Sequence, residues 1–327
     1  QRQGVDYFQT FSPTPKMTTL WVLLHVAAQR YYELHSLDFS TAFLQGSLHE
    51  EIWLRRPHGF TVTFPAGTQW SLRRPVYGLR QAPREWHDTL RTTVAALGFA
   101  PSTADPSLFL HTDTSVLPFY VLVYVNDLVF ATADTEALTL VKSELSFSAS
   151  ASRSPRHSPL LCLLATFSQL HLRTSPTSGM GLVLGGRCPV VLTGHADASW
   201  VDDSATQHSC CGAEIYAGAM AAHELRWLTY LLTDLGEQPR SPPVLYVDNK
   251  AMIALRMEHR LEHRTTHIAL RYFLARDLQQ RGQLRLAYMA THANTADVFT
   301  KALPPGDHQR FVTVLGLVPT LPHLLTA

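Results

Sequence analysis

Very little in this chain is present in excess. Lys and Arg number 27 against 26 Asp and Glu, so no strong basic field announces nucleic acid, and charge neither supports nor excludes that partner. The four cysteines, Cys162, Cys188, Cys210 and Cys211, show no C-x-x-C spacing. That argues against a disulfide framework and a zinc knuckle alike, and predicts reduced thiols in an intracellular protein. No run of about 18 consecutive apolar residues occurs, and the start lacks a basic-then-apolar signal pattern, which predicts neither a membrane span nor secretion. The first residue is Gln1 rather than Met, as expected of a piece of a longer translation product. Acids are missing altogether between Leu145 and Ala196. Ser and Pro crowd the first half of that window, and neither helical nor strand period is clear over 146–178, which predicts a poorly structured surface linker.

What is present is core material: 46% of the 327 residues are hydrophobic, enough for about two domains of ordinary size. After a polar lead-in with Pro13 and Pro15, apolar residues recur at helical spacing over 17–33 and feed a strand over 34–39. Strands are expected over 51–55 and 70–77, with a turn at Pro57-His58-Gly59 between them. Pro83 suits the first turn of a helix over 83–97 that stops at Gly98. Strands over 107–111 and 119–130 and a helix over 135–145 complete an α+β domain with hairpins rather than regular β-α-β alternation. Beyond the linker, 181–184 and 190–196 are expected to pair around Gly185-Gly186. A long helix over 213–235 carries Ile215, Ala219, Ala222, Leu225, Leu228 and Leu232 on one face, with Gly236 as its stop. A buried strand over 244–247, helices over 249–257 and 264–280, a strand over 284–290 and a short helix over 294–303 follow.

Chemistry concentrates at strand ends. The run Phe119 to Phe130 reads as a β-hairpin joined by Asn126-Asp127, with an acid at its tip. Such an acid between buried strands is costly unless it binds something, and a metal ion held with a second carboxylate is the usual solution. Leu37-Asp38-Phe39 supplies the matching acid. A second set, Asp197, Glu214, Asp248 and Asp297, falls at element ends or first turns and suits a two-metal phosphodiester hydrolase; any one of them alone would be an ordinary cap or strand end. His259, His263 and His267 recur every four residues, but Arg264-Thr265-Thr266 looks like a helix start, so a solvated surface is favoured over metal ligation. Tyr77-Gly78-Leu79-Arg80-Gln81-Ala82-Pro83 precedes a helix, where free N–H groups and Arg80 or Arg84 could meet phosphate, or where the loop simply caps the helix.

Taken together these residues resemble the reverse transcriptase and ribonuclease H region of copia-type LTR retrotransposon Pol polyproteins. The resemblance is carried in order by Leu37-Asp38-Phe39-Ser40-Thr41-Ala42-Phe43-Leu44-Gln45-Gly46, Glu50-Glu51-Ile52-Trp53, Val76-Tyr77-Gly78-Leu79-Arg80-Gln81-Ala82-Pro83-Arg84-Glu85-Trp86, Ala104-Asp105-Pro106-Ser107-Leu108-Phe109 and Tyr124-Val125-Asn126-Asp127. Downstream it continues in His195-Ala196-Asp197-Ala198-Ser199-Trp200, Ala213-Glu214-Ile215-Tyr216, Tyr246-Val247-Asp248-Asn249, Arg264-Thr265-Thr266-His267-Ile268 and Ala296-Asp297-Val298-Phe299-Thr300-Lys301. It implies an α+β reverse transcriptase palm with partial fingers, the thumb and connection lost, followed by a truncated ribonuclease H-like α/β domain. The implied boundaries are 1–147 for fingers and palm, 148–180 for a degenerate linker, 181–312 for the ribonuclease H-like domain and 313–327 for a tail.

The implied activity is RNA-directed DNA synthesis with cleavage of RNA in an RNA-DNA hybrid. Asp38, Asn126 and Asp127 form the polymerase set, with Asp38 and Asp127 as metal ligands, Phe43 as the aromatic gate against a ribose 2′-OH, and Gln81 near the incoming nucleotide. Asp197, Glu214, Asp248 and Asp297 form the ribonuclease set and its metal ligands. Each site would use two Mg2+ or Mn2+ ions. The implied partners are an RNA template, a DNA primer, the hybrid, dNTP and the rest of a Pol polyprotein, with no membrane, in the cytoplasm or a virus-like particle. Three departures qualify this. Asn126 is a neutral amide where the family has a carboxylate, the acid-free linker stands where the family has a longer thumb and connection, and only 16 residues separate Asp197 from Glu214, where the family inserts two strands. An incomplete sheet with an exposed edge is therefore expected. A decayed element with weak or no activity follows; the alternatives are a non-catalytic nucleic-acid-binding remnant and an inert translated relic.

Overall fold

The computed structural model describes residues 1–55, 69–113, 117–148, 180–182, 190–197, 210–249, 253 and 274–319. Most of the linker (149–179), the turns at 57–59 and 185–186, and His259, His263 and His267 lie outside the described residues, as does most of the helix expected over 249–257. The chain divides into two compact units, Gln1–Leu164 and Ala165–Ala327.

The first unit is built on a five-stranded antiparallel sheet of order β1-β7-β6-β5-β4. Its strands are β1 (Glu33–Asp38), β4 (Phe99–Pro101), β5 (Leu108–His111), β6 (Phe119–Tyr124) and β7 (Asp127–Thr132). A separate two-stranded ribbon pairs β2 (Trp53–Leu54) with β3 (Trp70–Ser71). Phe119, Val121 and Val123 of β6 and Leu128 and Phe130 of β7 alternate onto one face, where they pack with Trp86, Leu90 and Val94 of α2 (Ala82–Ala96) and Leu138 and Leu145 of α3 (Thr135–Ser148). The intervening Tyr120, Leu122, Val129 and Ala131 are buried as well, and α1 (Met17–Arg30) touches β7. A strand covered on both faces is apolar at nearly every position, and β6 and β7 show this.

Where element ends differ from expectation, backbone geometry gives the reason. Helix α1 ends three residues before the expected position because Tyr31 turns left-handed at φ 58°, and β1 begins pairing with β7 at Glu33. Gly98 ends α2 as expected, at φ 88°, where a Cβ would sit 3.1 Å from His111 Nε2. The hairpin does not carry its acid at the tip. Val125 and Asn126 form the loop, and Asp127 is the first residue of β7, Cα-paired with both Tyr124 and Asp38. The extended segment expected over 70–77 is a strand only at Trp70–Ser71.

The second unit holds a parallel sheet of order β11-β10-β9 among the described residues, from β9 (Thr193–Ala196), β10 (Val244–Val247) and β11 (Arg285–Tyr288). Helix α4 (Cys210–Asp234) packs Ala222 and Leu225 onto Leu245, Val247 and Ala196, and 274–280 are helical, with Ala275 and Leu278 in the same core. The hairpin expected around Gly185-Gly186 is replaced by two different pairings. β8 (Met180–Leu182) runs antiparallel to β12 (Leu317–Pro319), and β9 runs parallel to β10. The helix expected over 294–303 is a 3-10 turn at Thr291–Ala293 and a single turn, α5 (Asp297–Thr300). Pro305 starts α6 (Pro305–Val314), since a proline at the first helical position gives up an N–H that has no partner there anyway. Among the described residues no helix is long and apolar enough to cross a membrane.

Candidate functional site

In the first unit the antiparallel register sets Asp38, the last residue of β1, opposite Asp127, the first of β7. The intervening loop closes over this pair. Phe39 N donates to Asn126 O at 2.9 Å, and Asn126 Nδ2 donates to Asp38 Oδ1 at 2.5 Å. Asp38 is exposed, Asn126 half-buried and Asp127 buried. The loop is strained: Val125 is β-branched yet sits at φ 57°, a conformation that costs on the order of 1–3 kcal/mol and persists only where the surroundings impose it. Trp86 supplies part of that constraint. Its Nε1 donates to Val125 O at 2.6 Å, while its ring packs edge-on against Phe39 at 5.1 Å between centroids. Sequence reasoning quoted Trp86 only as part of a motif; its contact with the loop comes from residues far away in the chain and leaves no local signal.

The two expected nucleotide contacts are placed differently. Phe43 is half-buried, its ring 4.6 Å from that of Tyr77. Gln81 is fully buried and its amide is engaged on both sides: Nε2 donates to Asp6 O at 3.0 Å, and Oε1 accepts from Gln1 Nε2 at 2.9 Å. Arg80, on the same loop, lies over the Tyr7 ring at 5.8 Å. Asp105, noted only for its motif, is buried and structural. Its carboxylate accepts from Lys16 N at 3.2 Å, Thr19 Oγ1 at 2.5 Å and Ser107 N at 3.0 Å, which fixes the start of α1.

In the second unit, parallel pairing of Ala196 with Val247 puts the next residue of each strand, Asp197 and Asp248, side by side. Asn294 brings up the third acid. Its Nδ2 donates to Ala196 O at 2.9 Å and its Oδ1 accepts from Ala296 N at 3.2 Å, tying the start of α5 to the end of β9. One ligand oxygen from each of Asp197, Asp248 and Asp297 lies within 4.8 Å of the others. Glu214 is half-buried on α4 and is not one of this converging set. Lys301 Nζ lies 2.8 Å from Asp297 Oδ1 and 3.3 Å from Asp197 Oδ1, and the Thr300 hydroxyl donates to Asp197 Oδ2. Burial pushes the Lys301 ammonium down, but the hydrogen bond to Asp297 and the charges of Asp197 and Asp297 outweigh it, so the net shift is upward. Asp248 Oδ1 is buried with no hydrogen-bond partner. His195, before the triad, stacks on Tyr246 at 5.2 Å. Burial lowers its imidazole, opposed by a hydrogen bond with Asn294.

The two sets differ in their fit to divalent cations, which such hard oxygen sites bind through several carboxylates. The triad fits: three carboxylate oxygens converge, and one of the three acids, Asp248, carries a buried oxygen without a donor. The first-unit set does not fit two ions, because it has two carboxylates and the exposed one already accepts an amide N–H.

Residues 1–152 match the family described as reverse transcriptase (RNA-dependent DNA polymerase). The retrovirus-related Pol polyprotein from transposon RE2 of Arabidopsis thaliana is 28% identical over 98% of this chain, and that from transposon RE1 is 25% identical over 97%. The Pol polyprotein from transposon TNT 1-94 of Nicotiana tabacum is 32% identical over 45%. The chain spans 30% of the length of the two Arabidopsis proteins and 11% of the tobacco one. The RE2 alignment runs over 440 residues against the 327 of this chain, so more than a hundred of its positions have no counterpart here. Residues 1–152 thus match the reverse transcriptase family, within a chain similar along nearly its whole length to the Pol polyproteins of the retrotransposons RE1 and RE2.

Proposed function

We propose that this chain is a decayed reverse transcriptase joined to a ribonuclease H-like unit: its polymerase site is impaired at Asn126, while its second-unit acid triad keeps the arrangement needed to cut RNA in an RNA-DNA hybrid. The observation that carries the reading is the hydrogen bond from Asn126 to Asp38. An amide nitrogen is a donor and cannot ligate a cation, so at the strand end where Asp38 and Asp127 face each other the third group points the wrong kind of atom at the carboxylate. The unmatched alignment positions support loss of internal segments.

In the second unit Asp197, Asp248 and Asp297 would hold a divalent ion. When bound, such an ion lowers the pKa of an attacking water and stabilises the leaving oxygen. The protein's part is to hold the three carboxylates in register through β9, β10 and Asn294, with Glu214 outside the converging set.

The test is Mg2+-dependent extension of a DNA primer on an RNA template by the natural chain beside Asn126→Asp. Extension is expected to be weak and to rise with the substitution. Equal rates in the two proteins, at a level typical of an active polymerase, would sink the proposal.

A further inference from the structure

The triad is already partly neutralised from within. Lys301 follows the last residue of α5, and its ammonium reaches Asp297 Oδ1 at 2.8 Å and lies 3.3 Å from both oxygens of Asp197. The Asp197 and Asp297 side chains are almost wholly buried, at 2% and 6% exposure, whereas the Lys301 side chain keeps 39%. The Thr300 hydroxyl takes the remaining approach to Asp197 Oδ2. One flank of the triad is thereby closed by donors. The third acid is different: Asp248 belongs to the converging set, and its Oδ1 is buried and accepts nothing.

We infer that Lys301 is a resident cation that fills one of the two cation positions, so that the triad accepts a single divalent ion, on the Asp248 side, instead of a pair. The charge arithmetic supports this. Three carboxylates crowded so closely repel one another unless countercharge is supplied. One ammonium leaves two negative charges, which one divalent ion matches and two would exceed. The inference rests on the proposal that the triad binds divalent metal, and the experiment separates the two.

Mn2+ binding is counted by isothermal titration calorimetry on the full chain in an Asp38→Ala background, which removes any contribution from the first unit. The parent is expected to bind one ion, Lys301→Arg one, Lys301→Met two, and Asp248→Asn none. If the parent binds none, or if Asp248→Asn leaves binding intact, the metal-site reading itself fails. If the parent's single ion is lost in Asp248→Asn but Lys301→Met still binds one with unchanged affinity, the metal site stands and the role given to Lys301 is overturned. Two ions in the parent overturn that role as well. Thermal melts supply an independent readout: Lys301→Met should melt earlier than the parent without metal and recover with Mn2+. Should Lys301→Met fail to fold, Lys301→Gln keeps a donor toward Asp297 without the charge, and an ion count equal to the parent's overturns the proposal.

Discussion

Both units place an acid at the end of one strand beside an acid from a neighbouring strand, yet they answer the resulting charge in opposite ways. In the first unit an antiparallel register sets Asp38 against Asp127, and the exposed carboxylate is met by a neutral amide, Asn126. In the second, parallel strands set Asp197 beside Asp248, a third acid joins them, and a full positive charge, Lys301, binds two of the three. An amide satisfies hydrogen bonding without creating demand for a cation. Three carboxylates with one ammonium remain two charges short. The capacity to bind divalent metal is thus set less by having acids at strand ends than by what faces them.

The widest gap between the two sets should appear on losing one carboxylate. Asp248→Asn is expected to reduce cleavage of an RNA-DNA hybrid by at least about a hundredfold, as removal of a ligand exceeds the cost of losing an outer hydrogen-bonding partner; Asp38→Asn should leave that cleavage unchanged. Retention of cleavage in Asp248→Asn would break the comparison. Next in size is Asn126→Asp, which restores a carboxylate to the first unit and should raise primer extension about tenfold or more, equivalent to at least 1.4 kcal/mol of transition-state stabilisation. Smaller again is Trp86→Phe. It keeps the ring against Phe39 but loses the bond to Val125 O, at a cost of about 1–2 kcal/mol. A fall of several degrees in the melting of the first unit would be the sign, with the second unit unmoved.

How much of this was legible in the sequence depends on the range of the interactions involved. Asp38, Asp197 and Asp248 could be picked out because each directly follows or ends an apolar run, and strand ends are local features. That Asp127 begins β7 instead of capping a turn was hidden, since the loop uses Val125 at positive φ, a choice no turn preference anticipates. The grip of Trp86 on Val125 and of Asp105 on Thr19 spans 39 and 86 residues of sequence, and nothing near either residue signals it. The pairing of β8 with β12 was missed because a three-residue strand is too short to show alternation. Asn294 had a usable signal that was passed over. It stands shortly before a helix start, in a residue type that bonds backbone N–H groups there.

The smallest effect tests whether the two units also share a weakness. Among the described residues each holds a half-buried imidazole with a bare nitrogen: the atoms His87 Nε2 in the first and His195 Nδ1 in the second are buried without a partner. Protonation would turn either atom into a buried donor with nothing to receive it, and burial accordingly lowers both groups from the usual histidine range. The opposing influences differ, Asp88 for His87 and the Asn294 hydrogen bond for His195. With the folded value depressed, the unfolded chain binds more protons just below pH 6.5, so each unit keeps its full stability above that pH and loses it as pH falls toward the folded value. Hydrogen exchange between pH 7.5 and 5.5 should show α2 and β10 both opening more readily on acidification, with His87→Gln flattening the response in α2 alone and His195→Gln in β10 alone. A response in α2 that persists in His87→Gln would assign the acid sensitivity of the first unit to some other group and leave the two units unlike in this respect too.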